Sequence, residues 1–124
     1  MARGLDKHRD YQRALQLLGK TLMRRSQRRC ELSDAQGELV IFDLEEPRAE
    51  PTLDEVVHIS PEVRDLLNGG SINPSEVRYL ETSVWSEHPP VRRATVLLLK
   101  RIDAVWAREA LESAMMMGDL AEGE

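Results

Sequence analysis

A single cysteine, Cys30, in 124 residues constrains this chain more than any other feature. One thiol forbids an intramolecular disulfide and the multi-cysteine zinc cages that staple many small domains, so the fold must rest on an apolar core. The length suits that demand, because a chain of this size makes one ordinary domain and buries somewhat under ~70% of its unfolded surface. Hydrophobic residues at 41% and charged residues at 31% are ordinary for a globular protein. The 7 glycines and 6 prolines show no period, which excludes collagen-like and low-complexity folds. The opening residues, Met1 to His8, hold no apolar core of a signal peptide, and no apolar run approaches the ~20 residues of a membrane span. A cytoplasmic protein with no membrane association is expected.

Helical periodicity dominates the pattern. Tyr11, Leu15, Leu18 and Leu22 recur on one face and predict a helix from about Asp6 to Arg28, with Leu17 and Met23 widening the stripe. A turn-rich stretch from Cys30 to Gly37 follows. The run Glu38 to Leu44 favours a short strand, one arm of a hairpin closed near Asp34 to Gly37. Residues 45–53 carry Pro47 and Pro51 among charges and read as an exposed loop, and Val56 to Ile59 is either a second strand or an extended lead-in. Ser60-Pro61-Glu62 starts a helix that buries Val63, Leu66 and Leu67 and stops at Asn68-Gly69-Gly70. Asn73-Pro74-Ser75 opens a further helical piece through Val77, Leu80 and Val84. Pro89-Pro90 starts a central helix carrying Val91, Ala94, Leu98, Ile102, Val105 and Trp106 on helical spacing, and a last helix runs from Ala107 to about Met117 before an acidic tail. The expected class is α+β, mainly α: a helical domain with a small β-hairpin, forming one domain over residues 1–124.

The net charge of -5 conceals a polarity along the sequence. Residues 1–29 hold nine basic groups against Asp6 and Asp10, whereas residues 30–70 hold eleven acids against Arg48 and Arg64. Such asymmetry implies either a basic surface for an anionic partner or internal pairing of the two blocks. Arg24, Arg25, Arg28 and Arg29 are the candidate anion-binding residues, and their alternative is a solvated helix end paired with acids from residues 43–55. Pairing is favoured, because the acidic block would repel a polyanion brought near the helix.

Other constellations have a chemical and a structural reading. Cys30 with His58 could supply a nucleophile and base, yet no third orienting group can be named. His88 beside Glu87 could serve acid–base work, but at a helix start Ser86 or Glu87 is expected to cap free backbone N–H groups instead. Trp85 and Trp106 adjoin apolar stripes and are expected in the core rather than as base-stacking platforms. In Met115-Met116-Met117, packing takes two, leaving Met116 or Met117 as an adaptable exposed contact.

The order Arg29-Cys30-Glu31-Leu32, then Leu39 to Leu44, then Trp85-Ser86-Glu87-His88-Pro89-Pro90-Val91 resembles the proteobacterial PhnA-like family, over residues 15–117. The motif residues Trp85, Ser86, Glu87, Pro89 and Val91 carry the likeness most specifically, with Arg78 and Leu80 in agreement. The resemblance implies a small zinc ribbon built from two C-x-x-C pairs. In this chain the pairs fall on Cys30 and Ser33, and on His58 and Pro61, and a further family cysteine is Tyr79. Ser33 is a poor zinc ligand and Pro61 has none to offer, so these positions are vestigial and neither metal nor cofactor is expected. The C-terminal β-barrel that many such proteins carry is not expected here. The function that follows is non-catalytic binding of an unknown protein partner. A nucleic-acid-associated role using the basic first helix is the alternative, with only weak binding expected, and an enzyme using Cys30/His58 or Glu87/His88 comes third.

Overall fold

The computed structural model describes residues 2–45 and 51–122, with side chains described for 9–45 and 51–116. It is an α+β protein, mainly α, with a single two-stranded antiparallel sheet among the described residues. Helix α1 spans Ala2–Ser26, β1 Val40–Asp43, β2 Val56–Ile59, α2 Pro61–Leu67, α3 Leu80–Ser83, α4 Pro89–Leu99 and α5 Val105–Glu122. Short 3-10 turns precede β2 (Leu53–Glu55) and α3 (Pro74–Glu76).

The first helix packs more lightly than its periodicity suggests. Leu22 is fully buried and Tyr11, Leu15 and Leu18 are half-buried, but Leu17 and Met23 point outward, so the apolar stripe is narrower than expected. The hairpin also closes elsewhere. β1 pairs with β2, in the register Val40↔Ile59 and Phe42↔Val57, rather than with a strand upstream of Gly37. The upstream segment is unavailable because it is a closed turn, with Cys30 N–H donating to the Ala35 carbonyl and Asp34 in the left-handed region at φ 65°. Of the expected exposed loop, Pro51 is buried, and residues 46–50 lie outside the described residues.

β2 is the structural centre. All four of its residues are buried, and it touches β1, α1 and α4. The core gathers Val57, Ile59, Val63, Val77, Leu80, Val84, Val91, Ala94, Leu98, Leu99, Ile102 and Ala107 around it. α2 follows its expected start: Ser60 accepts the Val63 N–H and Pro61 sits in the first turn. α3 and α4 are joined by a buried pair of hydroxyls, Ser83 and Thr95, 2.7 Å apart. α4 stops at Leu99. Its apolar spacing runs on, yet Arg101 turns to donate to the carbonyls of Leu66 and Gly70, and Val105 opens α5 as an exposed residue. α5 continues as helix to Glu122, past the residue where a frayed tail is expected.

Candidate functional site

The residues singled out by sequence converge on the segment following α1. Cys30 and Ser33 occupy a tight turn in which the Ser33 N–H donates to Cys30 Sγ at 3.4 Å and the Asp34 N–H to the Cys30 carbonyl at 2.9 Å. The thiol is buried and serves as an acceptor. Between them stands Glu31, to which the sequence assigned no role of its own. Its carboxylate accepts from Arg25 Nε at 2.7 Å, from a second Arg25 nitrogen at 2.8 Å and from the His58 backbone N–H at 2.7 Å. Its own N–H donates to the His58 carbonyl at 2.9 Å. A carboxylate used on both oxygens by a guanidinium is the geometry that makes a buried ion pair tolerable. The sequence signal was faint: an acid six residues after an arginine has no helical or strand spacing to mark it.

His58 is only 4% exposed, with Nδ1 3.1 Å from the Ser26 hydroxyl. Burial pushes its pKa below the usual 6.5, assisted by the Arg25 charge and opposed by Glu31 and by a hydrogen bond to the Leu22 backbone. It is therefore a neutral core imidazole. No hydrogen bond joins it to Cys30, so the nucleophile–base pair is not assembled. Pro61 is spent on starting α2. Tyr79 lies beside Cys30, its phenol pushed up to about 12 by burial and by Cys30 and Glu62. Among the described residues, no three His, Cys, Asp or Glu side chains converge as a metal site would require.

The Trp85–Val91 motif is split between surface and core. Trp85 is 52% exposed, against the expectation of a buried anchor. The short α3 directs Leu80, Ser83 and Val84 inward, and Trp85, one residue further round, faces out. Pro90 and Val91 anchor the helix start in its place. Ser86 accepts the His88 N–H at 3.1 Å, while its carbonyl takes Arg92 at 2.7 Å. Glu87 is exposed and stands 3.6 Å from His88 Nε2. Ser86, His88 and Val91 share a polar cleft of about 160 Å³ with Ser26, Cys30 and Glu31. Trp106 is half-buried, with the Arg78 guanidinium 4.9 Å above its ring. Met115 and Met116 are both exposed, so packing takes fewer of the methionines than expected, and the Met117 side chain lies outside the described residues.

The four arginines at the end of α1 separate sharply. Arg25 is consumed internally: besides Glu31 it donates to the carbonyls of Leu53 and Val56, both at 2.8 Å. Arg29 meets Asp34 at 3.4 Å on the surface. Arg24 and Arg28 are exposed and have no partner among the described residues. The expected pairing with acids of residues 43–55 is thus not made by this stretch. Asp43 instead accepts from Tyr11 at 2.7 Å, and Glu45 from Arg93 at 2.8 Å. The helix ends with Gln27 N–H donating to the Arg24 carbonyl and Arg28 N–H to that of Met23, with Gln27 and Arg28 both left-handed at φ 56° and 63°.

At 100° per residue, Arg9, Arg13, Lys20 and Arg24 fall in a narrow arc opposite Tyr11, Leu15, Leu18 and Leu22. All four are exposed and none has a partner among the described residues. Leu17 lies at the edge of that arc and is 77% exposed. The lower part of the arc borders a shallow concavity of about 520 Å³ between Lys20, Met23, Arg24, Gln27 and Arg28. No protein-family model, curated protein or solved structure matches the chain.

Proposed function

We propose that this protein is a non-catalytic, PhnA-like binding module that docks an acidic, amphipathic helical segment of a partner protein on the outer face of α1. The carrying observation is the run of unpaired cations from Arg9 to Arg24, about 22 Å long at 1.5 Å per residue, with exposed Leu17 beside it. Four solvated charges along one side of a helix form a linear field that an array of carboxylates can match. Leu17 and Met23 add apolar contacts that a peptide helix can use and a phosphate backbone cannot. The overall charge of -5 also disfavours a long polyanion.

Catalysis has no comparable support. The Cys30 thiol and the His58 imidazole are occupied by internal hydrogen bonds, and Glu87 and His88 meet only loosely at the surface. What supports the PhnA-like kinship is the Cys30–Ser33 turn with its N–H to sulfur bond, a C-x-x-C spacing kept without its second ligand. A buried free thiol suits the reducing cytoplasm, where we place the protein.

The test uses two defined probes: a synthetic helical peptide with Glu and Leu at alternating four- and three-residue spacing, and a DNA duplex of about two helical turns, as dsDNA modules span. Fluorescence anisotropy should show binding of the peptide, lost in an Arg13→Glu/Lys20→Glu/Arg24→Glu variant that melts like the parent. Tight duplex binding at physiological salt, lost in the same variant, would replace the protein partner with nucleic acid.

A further inference from the structure

α5 carries an outer seam that complements the outer face of α1. Val105, Glu109, Glu112 and Met116 follow at intervals of four, three and four residues, the same intervals that separate Arg13, Leu17, Lys20 and Arg24 on α1. This is the spacing of a helix–helix seam. All four residues on α5 are exposed, Val105 at 62% and Met116 at 70%. Glu109 and Glu112 have no partner among the described residues, as is true of Arg13, Lys20 and Arg24. The inner faces are engaged elsewhere: α1 lies on β2, while α5 packs on α3 and α4. Both outer faces are therefore free for a contact between molecules.

From this complementarity we infer that the acidic helical partner of α1 is α5 of a second copy of this chain. The inference rests on the proposed role of the outer face of α1. Laid antiparallel and shifted so that Leu17 meets Met116, Arg24 falls level with Glu109, seven residues on along each helix, and Lys20 comes within one residue, about 1.5 Å of rise, of Glu112. Apolar meets apolar and each cation meets a carboxylate, with helix dipoles opposed. Matching the two sets of intervals directly sets Leu17 on Glu109 in the parallel orientation and on Glu112 in the antiparallel one, and either desolvates a carboxylate against an apolar side chain, so the shifted antiparallel register is the one that sets apolar on apolar. A twofold pair of molecules makes the contact twice, with each copy giving one α1 and one α5. Because the charges are exposed, the association is weak and salt-sensitive.

Sedimentation velocity on the full chain over a wide concentration range tests this. The wild type should self-associate, with the dissociation constant rising about tenfold or more between low and high salt. An α1 reversal (Lys20→Glu/Arg24→Glu) and an α5 reversal (Glu109→Lys/Glu112→Lys) should each be monomeric, and their equimolar mixture should associate again, since every contact in the mixed pair has opposite charges. A wild type that stays monomeric at the highest concentration overturns the inference, as does association that either reversal leaves intact or a mixture that fails to restore it. Circular dichroism melting verifies each variant, and the neutral pairs Lys20→Gln/Arg24→Gln and Glu109→Gln/Glu112→Gln replace any that misfolds, with weakened association expected. The synthetic Glu/Leu peptide offered to the α5 reversal, whose α1 is unchanged, separates the two proposals: peptide capture with a monomeric wild type removes only self-association, whereas no capture removes the docking face itself.

Discussion

Arg24 and Arg25 are neighbours on one helix and have opposite fates. Arg25 faces inward and spends its guanidinium on Glu31 and on the carbonyls of Leu53 and Val56, whereas Arg24 faces water without a partner among the described residues. The difference is one step of 100° around the helix. It teaches that a basic cluster in a sequence is not a surface: the helical phase divides it into charges that build the molecule and charges left over for something else. The inward charge is nearly dry, with side-chain exposures of 12% for Arg25 and 3% for Glu31, so its energetics are those of a buried pair.

The strongest way to break this contrast is to cut the inward pair. Glu31→Gln leaves Arg25 buried without its counter-charge and should cost ~3 to 5 kcal/mol in urea unfolding. A loss below ~1 kcal/mol would make the inner and outer arginines equivalent, as for surface pairs. Next comes the neutral imidazole packed beside that pair. Because the native state holds the His58 pKa below 6.5, its contribution is complete above that pH and declines as the pH falls toward the lower native value. Urea midpoints should therefore drop between about pH 7 and 5, and the part of that drop due to His58 should vanish in His58→Gln. Tyr79, raised from 10.0 to about 12, acts with the opposite sign: stability is whole below pH 10 and is lost as the pH rises through 12.

Smaller effects sharpen the same division. Trp85→Ala should cost about 1 kcal/mol or less, since half the ring is already in water, whereas Leu80→Ala in the core should cost ~2 to 5 kcal/mol. Thermal melts of the two variants side by side decide whether the motif tryptophan holds the fold. Smallest of all, Arg24→Ala should leave stability within ~0.5 kcal/mol of the parent while weakening capture of the acidic peptide.

Much of the fold was legible because it depends on local signals. Ser60-Pro61 starts α2 as its capping chemistry dictates, Pro89-Pro90 starts α4, and the phase of Tyr11 to Leu22 gives the inner face of α1. What escaped was set by distant parts of the chain. No glycine or proline marks the break after Leu99, beyond which Arg101 reaches for carbonyls at and past the end of α2. The partner of β1 lay downstream, past a charged loop, because the nearer segment closes on its own thiol turn. Of the candidate site, the cationic character of α1 was visible, but Glu31 was not. Its importance comes from meeting Arg25 and the His58 backbone at one point, and residue type and spacing do not encode such a convergence.

The latch that joins α1 to the sheet also bears on the order in which the molecule is expected to come together. Tyr11 to Asp43, Arg25 to Val56 and Ser26 to His58 bridge 32, 31 and 32 residues, whereas Ser83 and Thr95, which tie α3 to α4, are 12 apart. Closing the shorter loop costs less chain entropy, so the C-terminal helices are expected to gather before α1 docks on the sheet. With Leu22 its only fully buried apolar side chain among the described residues, α1 is expected to open ahead of the core helices, which would uncover Leu22 and strip Glu31 of its counter-ion in one motion. Amide hydrogens of α1 should accordingly exchange with deuterium ahead of those of α4, and faster still in a variant that cuts the Arg25–Glu31 pair.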